Sequence, residues 1–125
     1  PLHATGVGKV LLAFGDKELQ DAVLGSLDKF TDQTITDAGK LATQLQTIRV
    51  QGFAQTYEEL AAGASSIAVP LRGKGGKVIA AMGIVAPTGV RDIGKMVPVM
   101  QVTGAALSKK LVEAGLGDAS RLTAE

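Results

Sequence analysis

Ser65-Ser66-Ile67-Ala68-Val69-Pro70-Leu71, Gly73-Lys74-Gly75-Gly76 and Lys77-Val78-Ile79-Ala80-Ala81-Met82-Gly83-Ile84-Val85-Ala86 together decide the fold. The first run has period two, with Ile67, Val69 and Leu71 on one face and Ser66, Ala68 and Pro70 on the other. The glycines that follow tolerate positive φ, so a turn and an antiparallel hairpin are expected. In the returning run, Val78, Ala80, Met82 and Ile84 alternate with Ile79, Ala81, Gly83 and Val85. Both of its faces are apolar, and each must therefore be covered by protein or line a pocket.

Upstream, residues 53–58 also alternate, with Phe53, Gln55 and Tyr57 against Ala54, Thr56 and Glu58. They predict a further strand, joined to the hairpin by a loop over 59–64. Before residue 53 the period is 3.6. Val7, Val10, Leu11 and Phe14 mark one helix, and Leu19, Val23, Leu27 and Phe30 a second. Leu41, Leu45 and Ile48 mark a third. Thr5, Asp16 and either Thr36 or Asp37 can cap their starts, and Gly52 closes the last. Downstream, Pro87-Thr88-Gly89 ends the sheet. Ile93, Met96, Val97, Met100, Leu107 and Leu111 then predict a long helix ending at Gly115. Pro98 inside that pattern should kink or divide it. The last ten residues read as a frayed tail.

Helices, then strands, then a helix give an α+β fold with an antiparallel sheet. Its length of 125 residues suits one domain. Hydrophobic residues make up 46%, aromatic ones only 3%, and there are 16 glycines, so the core is aliphatic and closely packed. That apolar fraction excludes a disordered chain. No apolar run approaches the roughly 18 residues of a membrane-spanning helix, and after Lys9 only residues 10–14 are apolar, too few for an export signal. With no cysteine, disulfides, thiolate nucleophiles and cysteine metal sites are excluded, which suits a cytoplasmic protein. The net charge of +1 divides into −3 over residues 1–62 and +4 over 63–125, without interleaved aromatics, so it makes a poor nucleic-acid footprint. The chain opens on Pro1 rather than Met, and a three-stranded sheet is small. Both features lead us to expect part of a larger domain.

Catalytic motifs fail one by one. Gly6-Val7-Gly8-Lys9 is not a phosphate loop, because that motif would need Gly where His3 stands and Ser or Thr where Val10 stands. His3 is the single histidine, so one chain cannot build a multi-histidine metal site. Glu58 and Glu59 are adjacent and, on a strand, point to opposite sides. Neither Ser65 nor Ser66 sits in a strand-turn-helix nucleophile motif. No catalytic residue, metal or cofactor is expected. A binding site is better supported: Thr56, Ser66, Gly83 and Val85 fall on facing strand positions, with room beside Gly83. Thr5, Gly6 and Val7 open a helix whose backbone N–H groups favour a polar or anionic group. His3 is a further candidate. The plainer alternative is that Gly83 permits close packing and the hydroxyls satisfy local backbone.

Residues 1–13, Pro1-Leu2-His3-Ala4-Thr5-Gly6-Val7-Gly8-Lys9-Val10-Leu11-Leu12-Ala13, resemble the signature segment of the C-terminal effector-binding domain of IclR-type transcriptional regulators. The likeness continues through Ile35-Thr36-Asp37, Ile48-Arg49, Gly52-Phe53-Ala54, Glu59 and Gly63. It then runs through Ser66-Ile67-Ala68-Val69-Pro70, Val78-Ile79-Ala80-Ala81 and Ala86-Pro87. The resemblance implies a GAF- or PAS-like sheet flanked by helices, with a small-molecule pocket on one face. It implies a homodimer or homotetramer that reaches DNA only through an N-terminal domain absent from these residues. It also implies a helix and strands ahead of residue 1. Gly6 and Val7 match backbone that contacts a carboxylate in members sensing small keto acids. Thr56 stands where those members have Asp, Ser66 where Cys is usual, and Gly83 and Val85 where serines stand. Three of these changes, those at Thr56, Gly83 and Val85, remove polarity, so a larger or more apolar effector, an aromatic or apolar organic acid, is expected over glyoxylate-like acids. Two alternatives stay open: a small enzyme using His3 and Thr5, and a structural oligomerisation module using an exposed sheet edge.

Overall fold

The computed structural model of the chain describes residues 1–89 and 92–116. Three helices come first: α1 (Gly6–Ala13), α2 (Lys17–Leu24) and α3 (Ala38–Gln51). Each opens on the expected kind of cap. Thr5 accepts from the Gly8 amide at 3.0 Å, Asp16 from Leu19 at 2.8 Å and Asp37 from Lys40 at 2.9 Å. Each such bond satisfies an amide that the helix itself leaves unpaired. At the far end of α3, Gly52 turns left-handed at φ 79°.

β1 (Ala54–Tyr57), β2 (Ala64–Arg72) and β3 (Val78–Pro87) form an antiparallel sheet in the order β1-β2-β3. β1 is shorter than the alternation predicts because Glu58 takes φ 51° and leaves the ladder. Between β2 and β3 the glycine-rich turn is a short 3-10 segment, Lys74–Gly76, with Gly75 and Gly76 at φ 79° and 80°. A second 3-10 turn, Ile93–Met96, precedes α4 (Val97–Glu113). Pro98 therefore divides rather than kinks: it occupies the first turn of α4, where its missing N–H costs no helical bond.

The two faces of the sheet bury separate clusters. Ala54 and Ala68 pack with Val10, Leu12 and Ala13 of α1 and with Leu41, Leu45 and Ile48 of α3. On the other face, Ile67 and Val69 pack with Ile93 and Met100. Gly104 lets α4 approach closely, since a Cβ there would lie 3.0 Å from the Val69 Cγ2.

Two helical stripes differ from expectation. In α1, Val10 is buried, but Val7 is exposed and Leu11 and Phe14 are half-buried; the fully covered positions include Lys9, Leu12 and Ala13. The helix is wedged between sheet and α3, so more than one stripe is covered. The second helix stops at Leu24 with Gly25 as its cap, which leaves Leu27 and Phe30 in the irregular segment beyond it. In α4, Met100 is buried and Leu107 and Leu111 are half-buried. The expected tail lies outside the described residues, apart from Leu116.

Candidate functional site

The strand register sets the site. Thr56, Ser66 and Val85 form one row across β1, β2 and β3, and Ala54, Ala68 and Gly83 form the next. The start of α1 rests on the second row. A Cβ on Gly6 would lie 3.3 Å from the Ala68 Cβ and 2.8 Å from the Ser66 Oγ, and one on Gly83 would lie 2.7 Å from the Val7 Cγ2. Val7 thus packs closely on one side of Gly83, which itself stays exposed.

Beyond the helix start, the first row forms the floor of a cavity of about 230 Å³. Thr5, Gly6 and Val7 bound it on one side, Gly83 and Val85 line the β3 side, and Leu60 and Ala61 form the wall after β1. No charged side chain lines it among the described residues. The sequence candidates thus converge, with one exception. His3 is buried outside this lining, its Nε2 2.7 Å from the Asp28 carbonyl oxygen and its ring 5.6 Å from that of Phe30.

Hydrogen bonding divides the polar groups into spent and available ones. The Gly6 amide donates to the Ser66 Oγ at 3.1 Å, and the Ser66 and Thr56 hydroxyls lie 2.5 Å apart. Two hydroxyls sharing one bond, with Ser66 also accepting from Gly6, leave one hydroxyl proton without a fixed acceptor. The Thr5 hydroxyl is committed, accepting from Gly8 and donating to the Pro1 carbonyl at 3.2 Å. The Val7 N–H has no hydrogen-bond partner among the described residues. A bound group accepting hydrogen bonds thus meets two donors and the positive end of α1. His3 and Thr5 are thus each hydrogen-bonded to a backbone carbonyl, that of Asp28 and that of Pro1.

Sequence reasoning missed a buried cluster beside this cavity. The Lys9 side chain is fully covered, with Nζ 2.6 Å from the Glu59 Oε1 and 2.5 Å from the Gln44 Oε1. Burial pulls the Lys9 ammonium below the usual lysine range, and the Glu59 carboxylate partly opposes that shift. Lys9 stands amid an otherwise apolar helix, and that was its one sequence signal. Glu58 turns elsewhere and accepts from the Gly63 amide. Two threonines fix the same segment: Thr31 donates to the Glu58 carbonyl at 2.5 Å and Thr34 to the Glu59 carbonyl at 2.6 Å. The two glutamates do diverge, although not by strand alternation, because both lie beyond the end of β1 and Glu58 has positive φ. Among the described residues no group of three or more His, Asp or Glu is placed to hold a metal ion, and no helix is long and apolar enough to cross a membrane.

A three-stranded antiparallel sheet with helices on both faces, and a cavity where a helix start meets the strands, places the chain in the α+β class. It belongs to the family described as the bacterial transcriptional regulator IclR C-terminal domain, whose model matches residues 1–108. The chain is 40% identical over 90 residues to the HTH-type transcriptional regulator KdgR of Dickeya chrysanthemi, covering 70% of this chain and 30% of that protein. It thus spans about a third of that regulator. An IclR homolog from Microbacterium hydrocarbonoxydans, solved in complex with 4-hydroxybenzoate, superposes with a TM-score of 0.83 at 29% identity, covering 89% of this chain and 46% of that one. The PobR inducer binding domain from Acinetobacter, a double mutant in complex with 3-hydroxy benzoic acid, gives 0.80 at 31% identity, covering 86% and 65%.

Proposed function

We propose that the cavity binds a small-molecule effector and that residues 1–125 form part of the sensing domain of an IclR-type regulator. The observation that carries this reading is the convergence of Val7, Thr56, Ser66 and Val85 on one apolar space with two available donors. The effector is an aromatic or apolar organic acid. Its carboxylate accepts from the Val7 N–H at the start of α1, and its body lies against Leu60, Ala61 and Val85. The relatives solved with hydroxybenzoates support that class. Thr5, Gly6 and Gly83 shape the space, while His3 supports the segment behind it.

Binding proceeds without a covalent step and without catalysis. Occupancy biases the arrangement of subunits in a homodimer or homotetramer, and so the DNA-binding domains, in the cytoplasm. The outer edges of β1 and β3 both pair with no strand among the described residues. Isothermal titration of 4-hydroxybenzoate and of glyoxylate against the protein tests the effector class. Saturable binding of the aromatic acid with little heat from glyoxylate is expected; binding of glyoxylate alone overturns the assignment.

A further inference from the structure

Lys9 and Glu59 lie outside the cavity lining, yet they join its two sides. Lys9 stands three residues after Gly6, one helical turn from the residue that opens α1 beside the cavity. Glu59 directly precedes Leu60 and Ala61, the wall facing the Val7 donor. The ammonium also meets Gln44 of α3, so a single buried group ties the helix, the wall and α3 together.

The wall has no regular structure between Glu58 and Ala64. It is nonetheless fixed at its root, by Lys9 on the Glu59 carboxylate and by Thr31 and Thr34 on the two carbonyls. Its tip is exposed at Leu60 and Ala61, with the Ala61 carbonyl accepting from the Ala64 amide at 3.3 Å. A buried ion pair is a weak source of net stability, because desolvation offsets most of the attraction. What it supplies instead is direction, since the short bonds to Glu59 and Gln44 permit few placements of the carboxylate. We propose that Lys9 and Glu59 are positioning residues whose ion pair holds the Leu60–Ala61 wall at a set distance from the first turn of α1. This inference rests on the effector reading of the cavity. A ligand that shifts the start of α1 moves Lys9 with it, and the wall follows.

Two variants of the full chain test the latch, Glu59→Gln and the double variant Lys9→Met/Glu59→Leu. The double variant replaces the pair by apolar groups and so guards against simple loss of folding. Amide hydrogen exchange is the readout that needs no ligand. The amides of Gly63 and Ala64, both bonded within the wall segment, should exchange roughly tenfold faster in each variant, while Met100 and Gly104 of α4 keep wild-type rates. Affinity for 4-hydroxybenzoate should fall roughly tenfold in the double variant at an unchanged melting temperature. Wild-type exchange at Gly63 and Ala64, or a rise spread equally over α4, overturns the latch. So does a double variant with wild-type probe affinity. If 4-hydroxybenzoate fails to bind the wild-type chain, the effector assignment falls with it, and the exchange pattern alone decides the latch.

Discussion

Two glycines with crowded surroundings have expected effects of different size. A Cβ on Gly8 would lie 2.6 Å from the Leu2 Cα and 2.7 Å from the Leu2 carbonyl oxygen, and backbone cannot step aside cheaply. Gly8→Ala should destabilise the fold by about 2 kcal/mol, read from the midpoint of urea unfolding. A Cβ on Gly83 meets the Val7 Cγ2 at 2.7 Å, the end of a side chain that can rotate toward the cavity. The Ile67 carbonyl oxygen at 3.2 Å must also give a little, so Gly83→Ala should lower the unfolding midpoint by less than Gly8→Ala does and weaken 4-hydroxybenzoate binding, as measured by titration. At this scale the sequence was legible wherever the determinant is local. Thr5, Asp16 and Asp37 cap helices whose amides lie three residues on. Lys9 was not legible, because its partners stand 35 and 50 residues away and no short pattern announces them. The floor of the cavity could be read because strand pairing repeats every second residue, so Thr56, Ser66 and Val85 share a face once the hairpin is placed.

Among the elements, α3 shows how far local signals reach. A capping Asp37, an apolar stripe of Leu41, Leu45 and Ile48, and a left-handed Gly52 agree with one another, and the helix runs as read. Gly52→Ala isolates the last of these signals. Within 4 Å its Cβ would meet only the Gln101 Nε2, at 3.7 Å, so the cost is conformational. A loss of about 1 kcal/mol is expected, seen as a lower melting temperature. By contrast α2 was overextended, because Leu27 and Phe30 keep helical spacing after Gly25 has ended the helix. They are apolar for another reason: Leu27 packs on the core and Phe30 lies against His3. Periodicity alone does not separate a helix from an irregular segment that buries residues at similar intervals. For α4, Pro98 signalled a boundary and marked the first turn of a new helix rather than a bend.

For the whole molecule, the buried Lys9 links stability to pH. Its ionisation is lowered from the ordinary 10.5, so between the lowered value and 10.5 the unfolded chain holds a proton that the folded chain has lost. More protons on the unfolded state mean that stability rises with pH across that window. The difference in unfolding free energy between wild type and Lys9→Met should therefore grow in favour of wild type as the pH climbs from neutral toward 10.5. Urea titrations at stepped pH check this, and the subtraction removes the lysines and tyrosine common to both proteins. The two rows of the sheet floor have a broader consequence. Ala54, Ala68 and Gly83 carry the helix, while Thr56, Ser66 and Val85, two residues along each strand, face the open space. The two registers are not wholly separate, because the Ser66 hydroxyl also accepts from the Gly6 amide of α1 and Gly83 also lines the cavity. Under the proposed effector reading, Thr56 and Val85 are the positions where drift would alter the cavity without touching a contact to α1, whereas a change at Ser66 would also release the Gly6 amide.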